Sequence, residues 1–313
     1  VFWCPDCSCA LGAIPSANVE GVTPGLGCPE CGKNFPLKNG FYVFDESELV
    51  SSLDYHLDKA KLDTESNELL NKLGRYLIPN LGGIKGSRIL SVGCGSGSDI
   101  KELNDLGAEA YGMDFAYRTE GWKTNGFASE KDHLFVSSAA KIPFPREFFD
   151  VVLCMGVIEH VVEELVSKKD YPELDRQRGL FLKTLFGMLK PGGTLIITSP
   201  NRNFPIDFQH NAYGSPKVLA KLSVYTHSPF TRFLESYYSL SRHFGRIGKH
   251  KAEPMPLVNF FGFNVFELSS RLSGFKRIFE AYIRALDSCP QFVRRSFLNP
   301  YVVLKIVKES ARC

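Results

Sequence analysis

Between residues 87 and 200, short apolar runs alternate with amphipathic stretches. "RILSV", "EAYGMD", "FDVVLCMG" and "PGGTLIITSP" are apolar on consecutive rather than alternate positions, which predicts strands buried on both faces. Helical patterns from about Asp99 to Leu106 and from about 175 to 190 separate them. Strands alternating with helices predict an α/β fold with a mainly parallel sheet covered by helices on both sides. Upstream, Leu69, Leu70, Leu73, Tyr76 and Leu77 recur at helical spacing in "TESNELLNKLGRYLI". Thr64 is the predicted N-cap there, with Pro79 and the Gly82-Gly83 pair closing the helix. Residues 201–262 break the alternation. They are rich in Phe and Tyr and poor in strand signals, which predicts a helical, aromatic lid insertion. A helix at "NVFELSSRLSG", a strand at "FKRIFEAYI" and a last strand at "YVVLKIVKE" follow. The first 44 residues keep no period at all. They are rich in Cys, Pro and Gly and end on the short apolar run "FYVF". The expected organisation is therefore a small module at 1–44, a helical linker at 45–86 and a main domain at 87–313 that carries the insertion.

Composition narrows the class without naming it. Of 313 residues, 44% are hydrophobic and 23% charged, ordinary values for a globular chain with a sizeable core. A net charge of +3 does not single out nucleic acid or membrane as a partner. No apolar run approaches the roughly 18 residues of a membrane helix, and no signal-peptide pattern is visible from Val1 onward. Five of the nine cysteines lie in the first 31 residues, whereas Cys94, Cys154, Cys289 and Cys313 are isolated. Such clustering fits a metal site better than a disulfide framework, and a reducing cytoplasm is the expected compartment.

Within that cluster, "CPDC" and "CPEC" set Cys4, Cys7, Cys28 and Cys31 in a C-x2-C-x20-C-x2-C pattern. Each C-x2-C turn presents two thiolates on one knuckle, and two knuckles complete a tetrahedral zinc site. A closed four-cysteine site leaves no position for water, so the metal is expected to be structural. A module this small has too little core to fold alone, and zinc would supply much of its folding free energy. Cys9 is a spare thiol that could replace Cys7. The run "CPECGKNFPLKNGFYVF" resembles the small zinc-ribbon modules found in front of, or as partners to, methyltransferases.

The stretch "ILSVGCGSGSD" places Gly93, Gly95 and Gly97 directly behind a predicted strand. No Lys follows them, as a P-loop would require. The third glycine of a dinucleotide fingerprint is out of place, and Asp99 at the helix start is a poor neighbour for a pyrophosphate. A cationic sulfonium ligand meets no such objection. Together with "YGMD", "SSAAKIPFPREFFDVVLCMG" and "LKPGGTLIITSPN", the stretch resembles the class I S-adenosylmethionine-dependent methyltransferases, of the type 11-like kind, over about residues 65–200 and again near the C-terminus. The resemblance implies a Rossmann-like sheet and S-adenosylmethionine as cofactor, with S-adenosylhomocysteine as product. It further implies that Gly93, Cys94, Gly95 and Gly97 hold the methionine part, that Asp114 takes both ribose hydroxyls, and that Ser138, Ala139 and Met155 lie beside the adenine. Two departures stand out. Ser91 occupies a position where the family usually has an acid, and Ser138 one where an Asp often precedes the adenine turn. Both hydroxyls can still reach the cofactor directly or through water.

Methyl transfer to a hydroxyl needs alignment and a group to take the proton, with His favoured near neutral pH. His160, in "VIEHV", resembles the His of the Glu-His pair in ubiquinone-type O-methyltransferases, with Glu159 beside it. Gly156, at the position of an earlier acid, argues against a divalent ion there. "SPNRNFPIDFQH" resembles a loop in methyltransferases of sugars and other hydroxylated small molecules, which would put Asp207 and His210 at the acceptor. The basic stretch "SRHFGRIGKHK" reads either as a solvated loop or as a cradle for a phosphate- or carboxylate-bearing acceptor or RNA. The expected function is O-methylation of a saccharide, lipid-linked or secondary-metabolite hydroxyl. The alternatives are an RNA base methyltransferase that uses the ribbon to hold RNA, and a non-catalytic partner with a degenerate cofactor site.

Overall fold

Ile89, Leu90, Leu134, Phe135, Phe149, Val152 and Leu153 are all fully buried. The apolar runs that contain them form the strands on which a computed structural model is built, describing residues 2–14, 24–45, 59–207, 225–226, 232–261 and 273–310. The chain divides into two compact units, Val1–Leu153 with Gly187–Lys190, and Cys154–Phe186 with Pro191–Cys313.

In the first unit, β5 (Arg88–Val92), β6 (Glu109–Asp114) and β7 (Leu134–Val136) pair in parallel, with Leu90 opposite Tyr111 and Met113 opposite Phe135. β8 (Phe149–Met155) flanks β5 on its other side. The chain therefore steps outward from β5 to β7 and returns across β5, the reversal that opens a ligand crevice at the C-terminal ends of parallel strands. The Ser98–Asp105 helix lies close on β6. A Cβ on Gly112 would come within 2.7 Å of Ile100 and Leu134, so only glycine permits that approach.

The N-terminal module is an antiparallel meander of β1 (Gly12–Ile14), β2 (Gly25–Gly27), β3 (Asn34–Lys38) and β4 (Phe41–Tyr42). It is joined to the sheet edge. Val43 bridges Val136 of β7, the Phe44 N–H donates to Val136 O at 2.9 Å, and the Trp3 N–H donates to Pro143 O at 2.9 Å. Phe2 packs among Tyr42, Phe44, Tyr111, Phe135 and Phe144. The small module thus borrows a core that it could not build alone. The linker is helical as expected, but it begins at Lys59, so Thr64 is inside the helix rather than at its cap. A π-helical turn at Leu73–Leu77 and a last turn at Ile78–Leu81 follow, and Gly82, at φ +74°, ends the run.

In the second unit, β9 (Leu189–Pro200), β13 (Tyr301–Lys308) and β12 (His250–Pro254) are antiparallel, with Leu304 opposite both Ile197 and Pro254. β12 was not expected. Its sequence, HKAEP, is polar at an edge position where only one side is paired, so it carries no apolar signal. The predicted strand "FKRIFEAYI" is instead part of a helix, Ser273–Asp287. Phe279, Ile283 and Leu286 are its buried positions, and their spacing of four and three residues is helical rather than alternating. The helix read into "NVFELSSRLSG" falls almost wholly outside the described residues. The basic stretch is helix and strand at its two ends, with Arg246 and Lys249 exposed in the turn between them. It runs from the Tyr237–Phe244 helix, capped by reciprocal Ser236–Ser239 hydrogen bonds, through a turn into β12. Of the expected lid, the described residues also show the short pair β10 (Ile206–Asp207) and β11 (Tyr225–Thr226).

Candidate active site and metal centre

Gly93, Gly95 and Gly97 all take positive φ, at 68°, 56° and 75°. A left-handed backbone at alternate positions is nearly free for glycine alone, and it curls the chain tightly between β5 and the following helix. Cys94, fully buried, points inward, and burial pushes its thiol well above the ordinary range. Asp114 ends β6 opposite this turn. Its Oδ2 accepts the Gly95 N–H and its Oδ1 the Phe115 N–H, both at 2.8 Å. Arg118 Nε stands 3.9 Å from the same carboxylate, and Trp122 Nε1 donates to Gly95 O at 2.7 Å. A carboxylate has about four acceptor positions, so Asp114 retains capacity for a vicinal diol. No basic side chain lies in residues 93–99. The donor set therefore fits a nucleoside with a cationic sulfonium better than it fits a pyrophosphate.

Both departures from the family pattern are matched by an aspartate elsewhere in the chain. Ser91 Oγ donates to Asp99 Oδ2 at 3.0 Å, with both residues buried. Ser138 Oγ donates to Asp45, the residue directly after the N-terminal module. Ser138 also caps the turn Ala139–Lys141 by accepting the Ala140 N–H. Neither aspartate was identified as a partner from the sequence, because both contacts arise from tertiary approach.

The four predicted metal ligands come together. The sulfurs of Cys4, Cys7, Cys28 and Cys31 all lie within 4.8 Å of one another, with 3.8 Å from Cys4 to Cys31, 3.6 Å from Cys7 to Cys4 and 3.6 Å from Cys7 to Cys28. A tetrahedron with Zn–S bonds of about 2.3 Å has edges of roughly 3.8 Å, so the set fits zinc. Burial resists ionisation of Cys28, yet the Cys31 N–H aimed at its sulfur and the neighbouring thiols bring it down to about 6. Cys9 lies 3.3 Å from Cys28 as a fifth thiol.

In the second unit, Met155 closes β8 and Gly156 follows at φ +66°. Glu159 is buried and His160 exposed in the short turn Ile158–His160. His160 Nδ1 lies 3.0 Å from Glu163 Oε2. A carboxylate on Nδ1 selects the tautomer with Nδ1–H, leaving Nε2 as acceptor, the arrangement of an oriented general base. Glu163 was missed in the sequence, although its i, i+3 spacing from His160 is a usable signal. The backbone of this turn is held by Arg178, fully buried. Its guanidinium donates to Glu159 O at 2.7 Å, Phe233 O at 2.9 Å and Glu235 Oε1 at 2.8 Å. Asp207 lies in β10, where only its backbone is described, and His210 lies outside the described residues.

A sequence profile of the methyltransferase-domain family matches residues 62–237, more than half of the chain. The chain belongs to this family. Its methyltransferase domain is 32% identical over 153 residues to the ubiquinone biosynthesis O-methyltransferase of Bradyrhizobium diazoefficiens, covering 48% of this chain and 54% of that protein. It is 29% identical over 197 residues to the enzyme of the same name from Cereibacter sphaeroides strain ATCC 17029, covering 61% and 72%. The chain spans about half the length of the first curated relatives it matches. Among solved structures, phosphoethanolamine N-methyltransferase 2 of Haemonchus contortus with S-adenosyl-L-methionine is similar at 16% identity and a TM-score of 0.47, over 89% of this chain and 62% of that one. A likeness that loose says nothing of the chemistry of this methyltransferase domain. No helix among the described residues is long and apolar enough to cross a membrane.

Proposed function

We propose that the chain is an S-adenosylmethionine-dependent methyltransferase acting on a hydroxyl of a small-molecule acceptor. The observation that carries this reading is the Asp114 carboxylate standing across from the left-handed glycine turn at the C-terminal ends of β5 and β6. The names of the ubiquinone-type relatives support oxygen as the methylated atom.

When bound, the cofactor supplies an electrophilic methyl group on a positively charged sulfur. Asp114 would fix the ribose, and the Gly93–Gly97 turn would set the direction of the methionine tail, so that the methyl lies in line with the acceptor oxygen. His160 would take the acceptor's proton at Nε2 while Glu163 holds Nδ1–H. Arg178 keeps the backbone of the turn in place through Glu159 O. His210 and Asp207 remain part of the proposed acceptor face on the strength of the sequence. The four cysteines would hold a structural zinc and take no part in transfer.

Two measurements test this. Titration calorimetry with S-adenosylhomocysteine is expected to show binding, and labelled methyl transfer is to be measured on a panel of catechols, sugars and nucleotide sugars. With the accepted compound, His160→Ala should lower kcat by about 10² to 10⁴ while leaving S-adenosylhomocysteine affinity within about twofold. Absence of cofactor binding, or methyl recovered on RNA and on none of the small molecules, would overturn the reading.

A further inference from the structure

Ala139–Lys141 form a single 3-10 turn, tied at its start to Asp45, the residue directly after the N-terminal module, and at its far end to the module itself. At its start, the Ser138 hydroxyl has two tasks at once: it accepts the Ala140 N–H and donates to the Asp45 carboxylate. At its far end, the Lys141 ammonium reaches Asp6 at 2.6 Å, between Cys4 and Cys7, and Asp6 is also paired with Lys33 beside the second knuckle. Between these points, the Phe44 N–H on Val136 O and the Val43–Val136 bridge fix the chain that leads to Asp45. An isolated exposed ion pair such as Lys141–Asp6 contributes little. A charge-assisted bond from a capping hydroxyl to a half-buried carboxylate contributes more, and it fixes the rotamer of the cap.

We infer that Asp45 is a positioning residue for the cofactor site: the folded zinc module delivers a carboxylate that locks Ser138 and so sets the shape of the Ser138–Ala140 turn. The inference rests on the reading of that turn as the adenine side of an S-adenosylmethionine site. It assigns the N-terminal module a role in cofactor affinity, distinct from holding RNA or a partner. Ser138 cannot supply the carboxylate itself, and Asp45 supplies it from a segment 93 residues earlier. The arrangement works only while the module keeps its fold.

The test is S-adenosylhomocysteine affinity of the full chain, by calorimetry, for Asp45→Ala, Ser138→Ala, the double variant and Asp45→Asn. Zinc content and thermal unfolding are to be recorded on each sample. With zinc retained, Asp45→Ala and Ser138→Ala should each weaken binding by about tenfold. The double variant should be no weaker than the worse single one, since both remove the same link. Asp45→Asn keeps an acceptor oxygen but not the charge, and should recover part of the loss. If Asp45→Ala holds zinc and binds within twofold of the parent chain, or if the two losses multiply, the inference falls. Asp114→Ala separates this from the broader reading. Should it lose affinity while Asp45→Ala does not, only the role of Asp45 is overturned. Should the parent chain itself fail to bind, the cofactor reading falls and takes the inference with it.

Discussion

At the residue scale, the two serines that stand where acids are expected show how a lost side chain can be replaced by geometry. Ser91 leans on Asp99 at the start of the next helix, and Ser138 on Asp45 directly after the N-terminal module. Each serine thus has a carboxylate partner, one within the glycine motif itself and one 93 residues away in the chain. Asp114, the proposed ribose ligand, is different, since its residue type and its place at the end of a strand are both readable along the chain. Each bond it would make to a ribose hydroxyl is charge-assisted, so Asp114→Ala is expected to weaken S-adenosylhomocysteine binding on the order of a hundredfold by calorimetry. Arg178 shows the opposite case, a residue of large consequence that the sequence gives no reason to choose. Arg178 and Glu235 are 1% and 4% exposed, and Ser239 also bonds to Glu235. Removing the cation strands a buried carboxylate and the four backbone carbonyls of Glu159, Val161, Arg232 and Phe233. Arg178→Met should therefore cost about 3–5 kcal/mol in urea unfolding, and Arg178→Lys, lacking the planar fork, should recover little of it.

Among the elements, the N-terminal module depends most on a group other than its own side chains. Its strands are two to five residues long, and its buried aromatics are shared with β6, β7 and the segment that follows. Chelation, or Cys31→Ser, is expected to release about one zinc per chain, as a four-thiolate site requires. The expected consequence is fast amide exchange over residues 25–38 while β5 and β6 stay protected, measured by hydrogen exchange. The module was legible because C-x2-C spacing is a chemical constraint with little slack. The parallel strands were legible for a related reason: burial on both faces leaves an unbroken apolar run. Elements exposed on one side were not. β12 is a polar edge strand, and the Ser273–Asp287 helix, read as a strand over "FKRIFEAYI", has β-branched and aromatic residues whose local preference is extended. Tertiary packing of Phe279, Ile283 and Leu286 decided its state instead. The Glu163 carboxylate on His160 was obscured for another reason, since "VIEHVVEE" draws attention to the adjacent Glu159, which is turned into the interior.

For the whole molecule, charge matters most in how it changes with acidity. The chain carries a formal +3 at pH 7 with its seven histidines neutral, so acidification adds positive charge to a protein already positive. Among the described residues, the buried His243 is where that added charge bears on folding. It is 4% exposed on the Tyr237–Phe244 helix, packed against Gly179, and its Nε2 makes no hydrogen bond among the described residues. Burial holds its pKa below the ordinary imidazole value of 6.5, with the carboxylates of Glu235 and Asp175 opposing the shift and Arg242 and Arg178 adding to it. The sign then follows. As pH falls through 6.5 the unfolded chain takes up the proton and the folded chain does not, so the unfolded form gains and stability drops. Above 6.5 the ring is neutral in both forms and contributes no slope. The loss continues downward until the folded ring also accepts a proton, at no more than about 1.4 kcal/mol per pH unit for one site. Zinc thiolates are also lost in acid, so the measurement is a difference. Urea unfolding of the parent chain and of His243→Gln, both holding zinc, should give curves that run parallel above pH 6.5 and converge or cross below it. Parallel curves down to pH 5 would mean that the buried imidazole is protonated in the folded chain, contrary to its surroundings.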